Sequence, residues 1–112
     1  MASTRQNKVS RMLQKELGDV YQREGRNMFS GKMITVTEVR VTPDLGMARV
    51  YLSVFPLPSK EDFIRITDEN AGFVRRELGN RIRHQLKNVP ELQFIMDDSL
   101  DHIENIDRLL NQ

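Results

Sequence analysis

Apolar side chains at Val9, Met12, Leu13, Leu17, Val20 and Tyr21 recur at the three- and four-residue spacing that gathers one stripe on a helix. They predict a helix over residues 4–24, capped by Ser3 or Thr4. Gly25–Lys32 loses the period and carries two glycines and Ser30, the marks of a loop. Met33–Val41 (MITVTEVRV) is rich in β-branched residues and predicts a strand. Its apolar phase slips, with Ile34 and Val36 on one parity and Val39 and Val41 on the other. A bulge near Thr37–Glu38, or burial on both faces, accounts for the slip. Thr42-Pro43-Asp44-Leu45-Gly46 has turn chemistry, and Met47–Phe55 alternates with Ala48, Val50, Leu52 and Val54 inward. The two strands therefore make an antiparallel hairpin.

Pro56-Leu57-Pro58 ends the second strand. Ser59 with Asp62 resembles a capping box and opens a short helix to about Glu69, with Phe63 and Ile66 inward. Asn70-Ala71-Gly72 interrupts it, and a longer helix follows to about Lys87, with Val74, Leu78, Ile82 and Leu86 on one stripe. After Val89-Pro90, Leu92, Phe94 and Met96 alternate as a third strand, Glu91–Asp97. Asp98 or Ser99 can cap a final acidic helix, about 99–111, in which Ile103, Ile106 and Leu110 form a narrow apolar line. The order α-β-β-α-α-β with an extra C-terminal helix predicts an α+β domain, a three-stranded sheet with helices packed on one face. Residues 1–112 read as one domain with its core at about 4–97.

At 112 residues the chain buries roughly two thirds of its unfolded surface, enough for one core without staples. The absence of cysteine removes disulfides and thiolate chemistry. No apolar run approaches the roughly 18 residues of a membrane span, so the expected setting is soluble and cytoplasmic, without a membrane partner. The whole-chain charge of +1 hides segregation. Residues 1–49 hold nine basic and five acidic side chains, and residues 70–90 hold five and one. Residues 91–112 hold one and six. The last segment thus repels a polyanion that the other two attract.

Within the basic segment Arg76, Asn80, Arg83 and Lys87 recur at i, i+4, i+7 and i+11, on one helical stripe about 16 Å long. Arg75 and Arg81 flank it, and Glu77 is the one acid in that window. Guanidinium forks suit phosphate oxygens, whereas a basic stripe by itself is also what a solvated helix face looks like. A second helix starting at Asn70-Ala71-Gly72 adds unpaired N–H groups and a positive dipole end, with Asn70 as its cap. On the first helix Lys8, Arg11 and Lys15 lie opposite the apolar stripe, with Arg5 near its edge. These thirteen residues form the candidate phosphate-binding set, which the resemblance described next implies to be RNA-binding.

Several motifs in register resemble one family. Val36-Thr37-Glu38-Val39-Arg40-Val41-Thr42-Pro43-Asp44-Leu45, Ala48 to Val54, Ala71-Gly72-Phe73-Val74-Arg75-Arg76-Glu77-Leu78-Gly79 and Val89-Pro90-Glu91-Leu92-Gln93-Phe94 followed by Asp97-Asp98-Ser99 are similar to ribosome-binding factor A, from about Gln6 to Leu110. The resemblance implies a type II KH-like domain. It also implies a non-enzymatic role in late maturation of the small ribosomal subunit, binding of 16S rRNA, an association with cold adaptation, and no cofactor. A monomer is expected. The family's helix kink reads Ala-x-Gly, and here Asn70 stands in the alanine place. Where many members have Asp-Pro-Arg-Leu, this chain has Asn27 to Lys32, so no role is carried onto that loop.

Other readings are weaker. Asp97, Asp98, Asp101, His102 and Glu104 have metal-ligand chemistry and would suit a carboxylate-dependent hydrolase, but acids in a first helical turn are stabilised by the dipole without a metal. His84 has no nucleophile or carboxylate at a telling spacing and reads as an added polar contact. Tyr51 and Phe55 fall on the outward parity of strand two. If exposed, they would favour a protein-interaction module using the sheet face or the C-terminal helix.

Overall fold

Ser3 opens the first helix with a capping box. Its hydroxyl accepts the Gln6 N–H (3.1 Å), and the Gln6 side-chain carbonyl accepts the Ser3 N–H (2.8 Å), so two donors left over at a helix start are satisfied. In this computed structural model residues 2–29 and 31–98 are described. The predicted C-terminal helix lies outside the described residues.

Helix α1 (Thr4–Met28) buries Val9, Leu13, Leu17, Val20 and Tyr21, as the periodicity predicts. It does not stop at Glu24. Gly25 is buried inside the helix because the Ile34 side chain lies against it, and a Cβ there would meet Ile34 Cδ1 at 2.8 Å. This glycine serves close packing and breaks nothing. The chain reverses at Gly31, whose φ of 86° is the left-handed conformation that favours glycine.

Strand β1 (Met33–Val41) pairs antiparallel with β2 (Met47–Phe55), and the register shifts between Val36 and Glu38. The bulge read from the parity slip is therefore present, and it lets Val36, Val39 and Val41 all enter the core. In the connecting turn Leu45 N–H donates to Thr42 O (2.9 Å). The left-handed residue is Leu45 (φ 60°), not Gly46. That strain is offset locally. Leu45 packs against the core, and the Asp44 carboxylate accepts the Thr42 hydroxyl (2.7 Å) and the Gly46 N–H (3.0 Å).

Ser59 caps α2 (Lys60–Ile82), its hydroxyl accepting the Asp62 N–H at 3.1 Å. Here the sequence reading is corrected, because one helix replaces the two expected on either side of Gly72. Its buried residues Phe63, Thr67, Val74, Leu78 and Ile82 stay in helical phase straight through Asn70–Gly72. One continuous apolar stripe outweighs the roughly 1 kcal/mol that glycine costs a helix. The helix also ends earlier than Lys87. Gln85 and Leu86 N–H groups both donate to Ile82 O (2.8 and 3.0 Å), closing the last turn.

Strand β3 (Glu91–Met96) lies parallel to β2, giving the order β1-β2-β3. Ala48, Val50, Leu52 and Val54 of the central strand are at most 1% exposed, and they share one hydrophobic cluster with both helices. Among the described residues the architecture is α+β, a three-stranded sheet with two helices packed on one face. The element order is helix, strand, strand, helix, strand.

Candidate nucleic-acid interface

Because the helices bury one stripe each against the sheet, their opposite stripes form a single outer layer. On α1 that layer carries Lys8, Arg11 and Lys15, with Arg5 nearer the N-terminus, all exposed. On α2 it carries Arg76 and Asn80, and Arg83 follows as the C-cap in helical conformation, again all exposed. Lys87 is exposed but lies beyond the helix. It lines a cleft of about 320 Å³ with Arg5, Asp44, Gly46 and Asn88. The expected four-residue stripe is thus three residues long, and its fourth member is redirected toward the start of α1.

The proposed glycine bend is absent. Gly72 is exposed within a regular helix, and Asn70 does not cap anything. Its side-chain amide donates back to Ile66 O (2.8 Å). Ala71 is half-buried. The amides of residues 70–72 belong to the helix ladder, so the phosphate-binding helix start expected there does not form.

Two of the expected RNA contacts have structural partners instead. Arg75 donates from both terminal nitrogens to the carbonyls of Pro90 (2.7 Å) and Val89 (2.9 Å), tying α2 to the entry of β3. Arg81 donates to the Asp19 carboxylate and lies 3.6 Å from Glu16, so it joins α2 to α1. The hydrogen bond from Arg81, helped by Arg23 at 3.2 Å, holds the Asp19 carboxyl below the usual carboxylate range. The same contact raises Arg81. Arg23, Arg40 and Arg65 are also in ion pairs. By contrast Arg5, Lys8, Arg11, Lys15, Arg76, Arg83 and Lys87 enter no ion pair among the described residues. The fold thus separates arginines that hold elements together from cations that face solvent.

Residues that the sequence reading left aside continue this surface. Arg11 and Lys15 line an open depression beside β1 of about 710 Å³, with Gln14, Gly18, Gln22 and Val36. An adjoining one of about 360 Å³ shares Gly18, Gln22 and Val36 and adds Arg26 and Lys32. A glycine in the middle of α1 was the available signal, since nothing in the helix pattern calls for it.

The sheet-face reading loses support. Tyr51 and Phe55 are half-buried rather than exposed, and the Arg40 guanidinium covers the Tyr51 ring at 5.7 Å. Among the described residues no group of three or more His, Asp or Glu could hold a metal ion. Asp97 accepts the Thr37 hydroxyl at 2.6 Å, fastening the bulge to the end of β3. Asp101, His102 and Glu104 lie outside the described residues. No described helix is long and apolar enough to cross a membrane.

A three-stranded sheet backed by two helices, with a cationic outer helix layer, defines a small KH-like protein. A family model described as ribosome-binding factor A matches residues 5–110. The ribosome-binding factor A of Flavobacterium psychrophilum is 45% identical over 111 residues, 98% of this chain and 85% of the relative. The chain belongs to the ribosome-binding factor A family. Its fold is similar to the crystal structure of ribosome-binding factor A from Thermus thermophilus, with a TM-score of 0.66 at 21% identity over 81% of this chain and 94% of that one. It is also similar to a Thermus thermophilus homology model fitted into a cryo-EM map of a 30S–ribosome-binding factor A complex. There the TM-score is 0.59 at 24% identity, over 76% of this chain and 87% of that one.

Proposed function

We propose that this protein is a non-catalytic, cytoplasmic ribosome-binding factor, acting as a monomer without a cofactor. It assists late maturation of the small (30S) subunit by holding 16S rRNA phosphates on its outer helix layer. One observation carries the reading. Lys8, Arg11, Lys15, Arg76 and Arg83 are exposed on that layer without an acidic partner among the described residues, while the arginines at the element junctions are paired. Unpaired cations on a rigid layer give up counterions and gain phosphates, and phosphate contacts position a protein without reading bases. Family membership and the 30S complex of the Thermus thermophilus relative support the small subunit as partner.

The test is co-sedimentation with immature and mature small subunits. The wild-type chain should sediment with them. The triple variant Arg76→Glu, Arg83→Glu, Lys87→Glu should stay in the supernatant while keeping wild-type circular dichroism, because all three side chains are exposed. If the folded variant sediments like the wild type, this surface is not the interface.

A further inference from the structure

We infer that the RNA backbone continues past the first cations of α1 and crosses that helix at Gly18, in a track along the α1–β1 side of the molecule. The inference rests on the rRNA reading above and names a part of the surface that reading does not use. The observations start with Gly18 itself. It sits in the middle of α1, where glycine is the poorest helix former after proline. Packing does not require it, since nothing lies within 4 Å of where its Cβ would be. Gly25, in the same helix, has such a reason in Ile34, so the contrast is internal to one element. What a glycine with open space above it does supply is bare backbone, over which another chain can pass closely.

The surroundings name the ligand. Gly18, Gln22 and Val36 belong to both depressions beside β1, so the two form one track. Arg11 and Lys15 stand at one end, Arg26 and Lys32 at the other. From residue 11 to residue 26 the helix advances about 22 Å. Between the cations Gln22 is exposed, and the Gln14 amide reaches the Val36 and Thr37 carbonyls only at 3.5 and 3.4 Å. Both amides can donate and accept, as riboses and phosphates require. The two lining acids, Glu16 and Asp19, both pair with Arg81 and are outnumbered by the four lining cations, so the track is cationic in net effect. No aromatic ring on it is exposed: Tyr21, which lines it, is 4% accessible. A phosphodiester backbone held without base stacking fits these features.

Binding of a 16S rRNA transcript, followed by fluorescence anisotropy across salt, tests this. Gly18→Leu should bind at least tenfold more weakly than wild type with an unchanged salt slope, because it blocks approach and removes no charge. Gly18→Ala should melt higher than wild type and bind no tighter. Arg26→Gln with Lys32→Gln should lower affinity and make the slope shallower by about 1.4. Neither residue belongs to the surface tested by the triple variant. Folded Gly18→Leu and Arg26→Gln/Lys32→Gln proteins binding within twofold of wild type would overturn the track alone. A wild-type chain that does not bind the transcript would overturn the rRNA reading and the track with it.

Discussion

Arg76 and Arg81 lie on one helix and serve different ends. Arg76 is exposed and unpaired among the described residues, whereas Arg81 bridges to carboxylates on α1. Arg81→Gln should therefore lower Tm by a few degrees and leave the salt slope of RNA binding unchanged, while Arg76→Gln should do the reverse. Thermal melts and binding titrations of the two variants separate the roles. The pairing also sets a pH dependence. Asp19 is held below its ordinary value of 3.8, first by the Arg81 hydrogen bond. Its contribution is present above 3.8 and fades as pH falls below that value through the folded pKa. Acid titration of stability should accordingly be flatter for Asp19→Asn than for wild type. None of this was legible along the chain. Asp19, the hydrogen-bond partner of Arg81, is 62 residues away in sequence, and Arg75 binds carbonyls, which no charge count registers.

Glycine marks packing at Gly25 of α1 and nothing structural at Gly72 of α2, and each helix supplies a test at the scale of the element. Gly72 has open space around it and ordinary helical backbone. Gly72→Ala should stabilise the protein by about 1 kcal/mol if α2 runs straight through, as described, and should destabilise it if a bend is needed. Gly25→Ala should cost stability through Ile34, and the loss should shrink in an Ile34→Val background that lacks the Cδ1 atom, a coupling that a double-mutant cycle reads in denaturant melts. The elements themselves were largely legible, and the β1 bulge was one of the two readings that parity offered. The continuity of α2 was not. Thr67 is 7% exposed and bridges the stripe from Phe63 to Val74, but a polar residue does not register as core. Asn70 and Gly72 then look like a break. Equally, Gly25 reads as a loop signal until the strand that packs on it is known.

At the scale of the whole molecule, the fold assembles cations that are far apart in sequence. Lys8, Arg11 and Lys15 come from α1, Arg76 from α2 and Arg83 from its C-cap, and both helices lie on the same face of the sheet. The charge segregation along the chain announced this division, because the two basic segments contain those five cations. The source of the attraction was not legible. The sequence suggested amides at a helix start, and the structure has side chains on a continuous layer instead. The number of phosphates engaged is then the quantity that decides the account. With about five neutralised, log affinity for 16S rRNA against log salt should have a slope of roughly −3.5, a loss of about a hundredfold from 50 to 200 mM. Reversing Arg76, Arg83 and Lys87 should flatten that line without changing the melting transition. A wild-type slope near zero, or an unaltered slope in the folded variant, would contradict the claim that this layer is what holds the RNA.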